Sequence, residues 1–173
     1  MNNEIIENLK KEKKISNCKI NTPLNLRKLL KAKNDRINIE IYFENCDIDE
    51  INCELIEFFK KITLKNCTIK KANFYSTYFI GGITIESCEF ENEVDLQSGG
   101  HNLNGAEIKF LNNTFSNFVN FFDCCFIGPF IMRNNYFKKG TNLLGNKGKP
   151  YEVTFETEPI IENTTGNLEL DGG

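Results

Sequence analysis

Seven cysteines and one histidine are the residues of this 173-residue chain best suited to holding a metal or attacking a substrate. Metal and disulfide chemistry needs thiols that converge, and its usual signature is a short pair such as CxxC. Here the number of cysteines is odd, no CxxC occurs, and Cys124 and Cys125 are adjacent. His101 stands in a glycine-rich stretch with no nucleophile or paired carboxylate at a suggestive spacing, so solvent exposure rather than catalysis is expected for it. Glu44, Glu86, Glu89, Glu91 and Glu93 are interleaved with Lys65, Lys70 and Lys71 and read as a solvated surface. There is no phosphate-binding loop, no H-E-x-x-H and no G-x-S-x-G. No catalytic, cofactor-binding or metal-binding residue is therefore assigned, and neither a cofactor nor enzymatic activity is expected.

The cysteines make better sense as part of a repeat. Ile41–Ile48, Ile62–Ile69 and Ile83–Phe90 share the pattern Ile-x-apolar-x-(Asn/Ser)-Cys-x-apolar, each starting 21 residues after the last. Looser copies follow at Ile108–Phe115, Phe130–Phe137 and Val153–Ile160, and an earlier one fits Lys13–Ile20 from its third position onward. The intervals have an inner rhythm. Apolar or small residues fall in doublets: Ile62/Leu64, Cys67/Ile69, Ala72/Phe74 and Thr77/Phe79, each five residues after the one before. The turn from Ile41 repeats this, and the turn from Ile108 does so with gaps of five and six.

Residues two apart in extended backbone share a face. A step of three between doublets forces a bend, so four short faces make one coil. Coils stacked about 4.8 Å apart pair every backbone group with the coils on either side, and six intervals give a rod of about 29 Å. A single coil cannot bury its inward residues; only the stack has a core. The expected fold is an all-β solenoid, a right-handed parallel β-helix forming one domain over 1–173. Cys18, Cys46, Cys67 and Cys88, continued by Asn113 and Asn135, then form an inward column of small fillers. Asn17, Asn45, Asn66, Ser87, Asn112 and Asn134 form a neighbouring column at a bend, where Asn tolerates turn conformations and can stack in a ladder.

Three segments interrupt the rhythm. Residues 22–34 read as an inserted helix or cap, with Thr22 as N-cap, Pro23 in the first turn, and Leu26, Leu29 and Leu30 on one face. Residues 97–106, with Gly99, Gly100 and Gly105, read as a protruding polar loop, and His101, Asn102 and Asn104 are its candidate interaction residues. Residues 161–173 read as a partial last coil or tail, whose edge caps the stack or pairs with a second molecule.

Small-then-large doublets five apart resemble the pentapeptide-repeat proteins, whose pattern is Ala-(Asp/Asn)-Leu-x-x. Ala72-Asn73-Phe74 fits best, and Cys46-Asp47-Ile48, Cys67-Thr68-Ile69, Cys88-Glu89-Phe90 and Cys124-Cys125-Phe126 put Cys for Ala. The resemblance covers about residues 41 to 143 and implies four-sided coils and, as in some members, end-to-end dimers. One-residue insertions and bulky first positions such as Ile41 depart from it, so a three-sided coil stays open. A rod with two variable projections and no catalytic constellation is expected to be a non-catalytic module binding a protein partner, and the resemblance implies a second class, a DNA mimic that protects a topoisomerase. The second needs a continuous negative stripe, which a net charge of -3 and interspersed lysines disfavour. The same mild charge argues against direct nucleic-acid binding. A carbohydrate-active β-helix enzyme is a third class, without the clustered Asp, Arg or Lys it needs. Residues 1–14 lack the apolar region of a secretory signal and no apolar run is long enough to cross a bilayer, so a cytoplasmic location is expected.

Overall fold

The structure is a computed structural model that describes residues 2–11, 14–30 and 34–172. It is an all-β parallel solenoid, a right-handed β-helix of about five turns with two short helices. The turns starting at Ile41, Ile62, Ile83, Ile108 and Phe130 stack without a break, and their first residues pair in register. A further coil precedes them, with Ile15 opposite Phe43 and Ile20 opposite Ile48. Lys13, the start of that repeat copy, lies outside the described residues.

The turns from Ile62 and Ile108 bury all four of their doublets. Ile62, Leu64, Cys67, Ile69, Ala72, Phe74, Thr77 and Phe79 are all buried, as are Ile108, Phe110, Asn113, Phe115, Val119, Phe121, Cys124 and Phe126. Register makes like stack on like. Phe90, Phe115 and Phe137 stand one above another, with ring centroids 4.9 and 4.7 Å apart and planes within 14° and 9°. Offset contacts of this kind add about 0.5–1.5 kcal/mol each beyond the area they bury.

The corner after the first face depends on a backbone shape most residues avoid. Asn17, Asn45, Asn66, Ser87, Asn112, Asn134 and Asn163 all take φ between 49° and 57°. The left-handed region costs an ordinary residue about 1–2 kcal/mol, and Asn less, because its side chain can bond locally. The amides also bond to one another: Asn45 donates to Asn17 (3.0 Å), Asn66 to Asn45 (3.2 Å) and Asn134 to Asn112 (3.0 Å). A second corner, at Leu55, Ser76, Ser98 and Asp123, repeats the conformation.

Three expectations need correction. Within 22–34, Leu24–Asn25 is strand, pairing with Ile51–Asn52, and the helix α2 covers only Leu26–Leu29. Its N-cap is Asn25, which accepts from the Lys28 amide at 2.9 Å, so Thr22 and Pro23 precede it. Residues 31–33 of that segment lie outside the described residues. Leu24 and Leu26 are an inward doublet of the first coil, and both are fully buried. The doublet and the helical stripe share Leu26; inter-coil pairing takes Leu24 and Asn25, and the helix begins at Leu26.

The second correction concerns Val153–Ile160, expected on the first face. Thr154–Phe155 pairs with Cys125–Phe126 on the fourth face instead. Ile160–Glu162 supplies the first-face rung, with Ile161 opposite Met132. An apolar doublet reads the same on any face, and the turn-rich stretch before Pro150 delays the coil by one whole face. The third concerns residues 97–106, most of which join the coil wall instead of protruding from it.

An additional helix, α1 (Asn2–Lys11), precedes the first coil and buries Ile5 and Leu9, one helical turn apart, against it. Replacing Asn66 by Ala should cost about 1–2 kcal/mol for the left-handed corner, and Asn66→Gly distinctly less. Urea denaturation of the two variants beside the native chain measures the difference, and equal losses would exclude the corner as the cause.

Candidate functional site

The thiol column occupies the inward position just after the first corner. Cys18 lies opposite Cys46 in register, with sulfurs 3.4 Å apart, and Asp47 opposite Thr68 and Thr68 opposite Glu89 continue the register through Cys67 and Cys88. These thiols do more than fill space. Cys46, Cys67 and Cys88 each donate to the carbonyl two residues earlier, at 3.3, 3.2 and 3.4 Å, bracing the corner from inside. Asn135 does the same with its amide, donating to Arg133 O at 3.0 Å. Asn and Cys are thus interchangeable in this column because each carries a short donor. The amides add inter-coil bonds. Asn113 accepts from the Cys88 N–H (2.9 Å) and donates to Ile85 O (2.9 Å) and to Asn135 Oδ1 (2.9 Å).

Burial works to keep the thiols protonated, but the hydrogen bond with Cys67 lowers the pKa of Cys88. The fully buried Cys53 and Cys124 are pushed well above the ordinary thiol range by loss of hydration, and desolvation raises Cys18 to about 12 with help from Cys46. Such thiols are poor nucleophiles at neutral pH.

A second polar column was missed at the sequence level. Asn52, Asn73, Asp95 and Asn120 each accept from the backbone N–H two residues on, at 3.1, 2.9, 3.0 and 3.0 Å, shaping the approach to the second corner. Asn142 donates to Asn120 at 2.9 Å, and Asn120 to Asp95 at 3.2 Å. The signal was present: Asn or Asp recurs at these positions at intervals of 21, 22 and 25 residues, close to those of the rungs.

The expected protruding loop is mostly not a loop. Gly100 bridges to Tyr78 on one side and Cys125 on the other, and the His101 N–H donates to Cys125 O at 2.6 Å. Gly99 is packed so tightly that a Cβ there would come within 2.7 Å of Leu96 O and 2.9 Å of Thr77 O. Its glycine serves close stacking of coils, the other common use of the residue. Only Leu103 to Gly105 stand out, with Leu103 54% exposed.

The three candidate interaction residues therefore separate. Asn102 is fully buried and donates to Ala106 O at 2.5 Å, so it is unavailable to a partner. His101 is half-buried, its ring 4.1 Å from that of Tyr78. Burial lowers its pKa, against the opposing pull of the Asp123 carboxylate. Asn104 alone is fully outward.

Outside the rod, charges alternate from coil to coil. Glu44, Lys65 and Glu86 follow one another in register, with Lys65 3.3 Å from Glu86, and Lys14 bonds Glu44 at 2.6 Å. Lys70 bonds Asp49 at 2.6 Å, and Lys71 approaches Glu50 at 3.8 Å. Exposed pairs of this kind add little stability, but they neutralise each column locally. Among the described residues no group of three or more His, Cys, Asp or Glu is placed to hold a metal, and no helix is long and apolar enough to cross a membrane.

The raised thiols carry a pH consequence. A thiol whose folded pKa exceeds its unfolded value favours folding fully below the unfolded value, about 9, and that contribution is lost as pH rises towards the folded one. Stability should hold to pH 8 and fall above pH 9, by up to about 1.4 kcal/mol per pH unit for each such thiol. Denaturation midpoints of the native chain and of Cys53→Ala/Cys124→Ala from pH 7 to 10 test this, the variant losing less.

No family model, no curated protein and no solved structure matches this chain.

Proposed function

We propose that this chain is a non-catalytic protein-interaction or scaffold module, built on a four-sided β-helix of pentapeptide-repeat type and working in the cytoplasm. The observation that carries the reading is where its polar side chains are spent. Asn113, Asn135, Asn142, Thr77 and Thr141 are buried and bond across coils, the last two donating to Cys53 O and Val119 O at 2.7 Å. Residues of the types that do chemistry are used to hold one coil on the next. The outer surface that remains is rigid and set in register, which limits the ordering cost of binding. Support for the repeat family lies in four buried doublets per turn, five or six residues apart, with Ala72-Asn73-Phe74 nearest its pattern.

The DNA-mimic reading requires one sign of charge to run along the rod. Alternation at Glu44, Lys65 and Glu86, and pairing of Asp49 with Lys70, weigh against it. Immobilised chain should retain a protein partner in stoichiometric amount from its host lysate. Excess chain should leave gyrase supercoiling unchanged. Inhibition or rescue of gyrase would favour the mimic. Turnover on a glycan panel, abolished by substituting one acidic residue, would favour an enzyme.

A further inference from the structure

The two ends of the rod are built differently. At the head, α1 lies against Lys14–Ile20, and the inward residues Ile15, Ile20, Leu24 and Leu26 are buried. At the tail, no described residue covers the last coil: its inward Ile161, Leu168 and Leu170 stay part-exposed, as do Val153 and Phe155. Ile160–Glu162 pairs on one side only, with Phe130–Arg133. An open edge over an apolar face is a template for another strand.

Charge says what fits there. Residues 1–36 carry ten Lys and Arg against four Asp and Glu, whereas residues 150–173 carry six Asp and Glu and no Lys or Arg. The rod already joins acid to base across one coil spacing at both ends. At the head, Lys14 and Arg36 of the first coil bond Glu44 and Glu57 of the second, at 2.6 and 2.9 Å. At the tail, Glu162, Glu169 and Asp171 bond Arg133, Lys147 and Lys149 of the preceding coil, at 2.8, 2.7 and 2.6 Å. Two tails face to face would set acid against acid. A tail on a head continues the rod's own order.

We propose that the acidic, uncovered tail docks on the basic head of a second copy, head to tail, and that α1 gates this contact. The inference rests on the interaction-module reading and names one partner for it. Unlike ends that join without closing a ring grow into filaments. Helix α1 sits where the next copy's strands would pair, and so holds the chain short of that.

Sedimentation velocity of the 173-residue chain tests the proposal. Ile5→Asp/Leu9→Asp, which unseats α1, should sediment faster as its concentration rises, passing beyond dimer at 50 mM NaCl and falling back at 500 mM, where charges are screened. The milder Ile5→Ala/Leu9→Ala should do the same to a smaller extent if the first variant fails to fold. In either background, Glu156→Lys/Glu158→Lys and Lys19→Glu/Lys28→Glu should each remain monomeric alone and form species larger than dimers when mixed. Monomers throughout, association that stops at a dimer, or association that strengthens with salt would each overturn it. A chain that stays monomeric yet captures a different protein would sink the head-to-tail contact alone and leave the interaction-module reading standing.

Discussion

Backbone pairing between successive coils is the constraint on which everything else in this rod depends. Each strand segment gives its N–H and C=O groups to the coils on either side, at a spacing of about 4.8 Å. That spacing is fixed, so a side chain meets its counterparts in the neighbouring coils whether or not they suit one another. Columns must therefore be made of compatible residues. Phenylalanines stack on phenylalanines, corner amides on corner amides, and outward acids on outward bases. An insertion can leave the stack only where pairing lapses. The turn from Ile83 is longer than the one before by four residues, one near Asn92 and three at Leu103 to Gly105, both at bends.

The same constraint decides how much the sequence could reveal. The thiol and amide columns were legible from their middle, Cys46 to Cys88 and Asn45 to Ser87, where a strict 21-residue interval places each residue directly over its counterpart one coil away. The faces were not always legible. A doublet such as Val153/Phe155 carries no mark of its face, so counting residues across the irregular stretch before Pro150 put it on the wrong one. Leu24, Leu26, Leu29 and Leu30 satisfy a strand rhythm and a helical one together, and only the pairing of Leu24 with Ile51 separates them. Gly99 and Gly100 looked like a loop because glycine marks both free turns and crowded backbone; here the crowding decides. Helix α1 was not foreseen, although Ile5 and Leu9 have helical spacing, because two apolar residues make too short a stripe to stand out among polar neighbours.

The candidate interaction residues illustrate a wider difficulty. His101, Asn102 and Asn104 are neighbours in sequence and polar, yet they have three different fates: a tilted ring contact with Tyr78, full burial, and exposure. In a solenoid the sequence neighbour is a poor guide to environment, since the residue one coil away is closer than the residue three along the chain. Patches on such a surface must be read down columns. Read that way, the polar residues at 101 and 102 belong to the packing of the fourth face, and what is left outward there is Leu103 and Asn104.

Columns also explain why the ends differ from the middle. Within the rod each outward charge has a coil above and a coil below, and alternation cancels it. A terminal coil has only one neighbour, so its charges are answered on one side alone. Any imbalance in composition along the chain therefore surfaces at the ends, even when the net charge is only -3. Basic residues predominate in the first 36 positions and acidic ones after position 150, and a nearly neutral surface becomes a rod with two unlike poles. The inward side chains follow the same rule, buried from both sides within the stack and from one side at its limit. Helix α1 packs against Lys14–Ile20, where Ile15 and Ile20 are buried, while Ile161, Leu168 and Leu170 stay part-exposed. A fold that satisfies every residue through its coil neighbours is least satisfied where the neighbours run out, and there its surface has most to gain from another molecule.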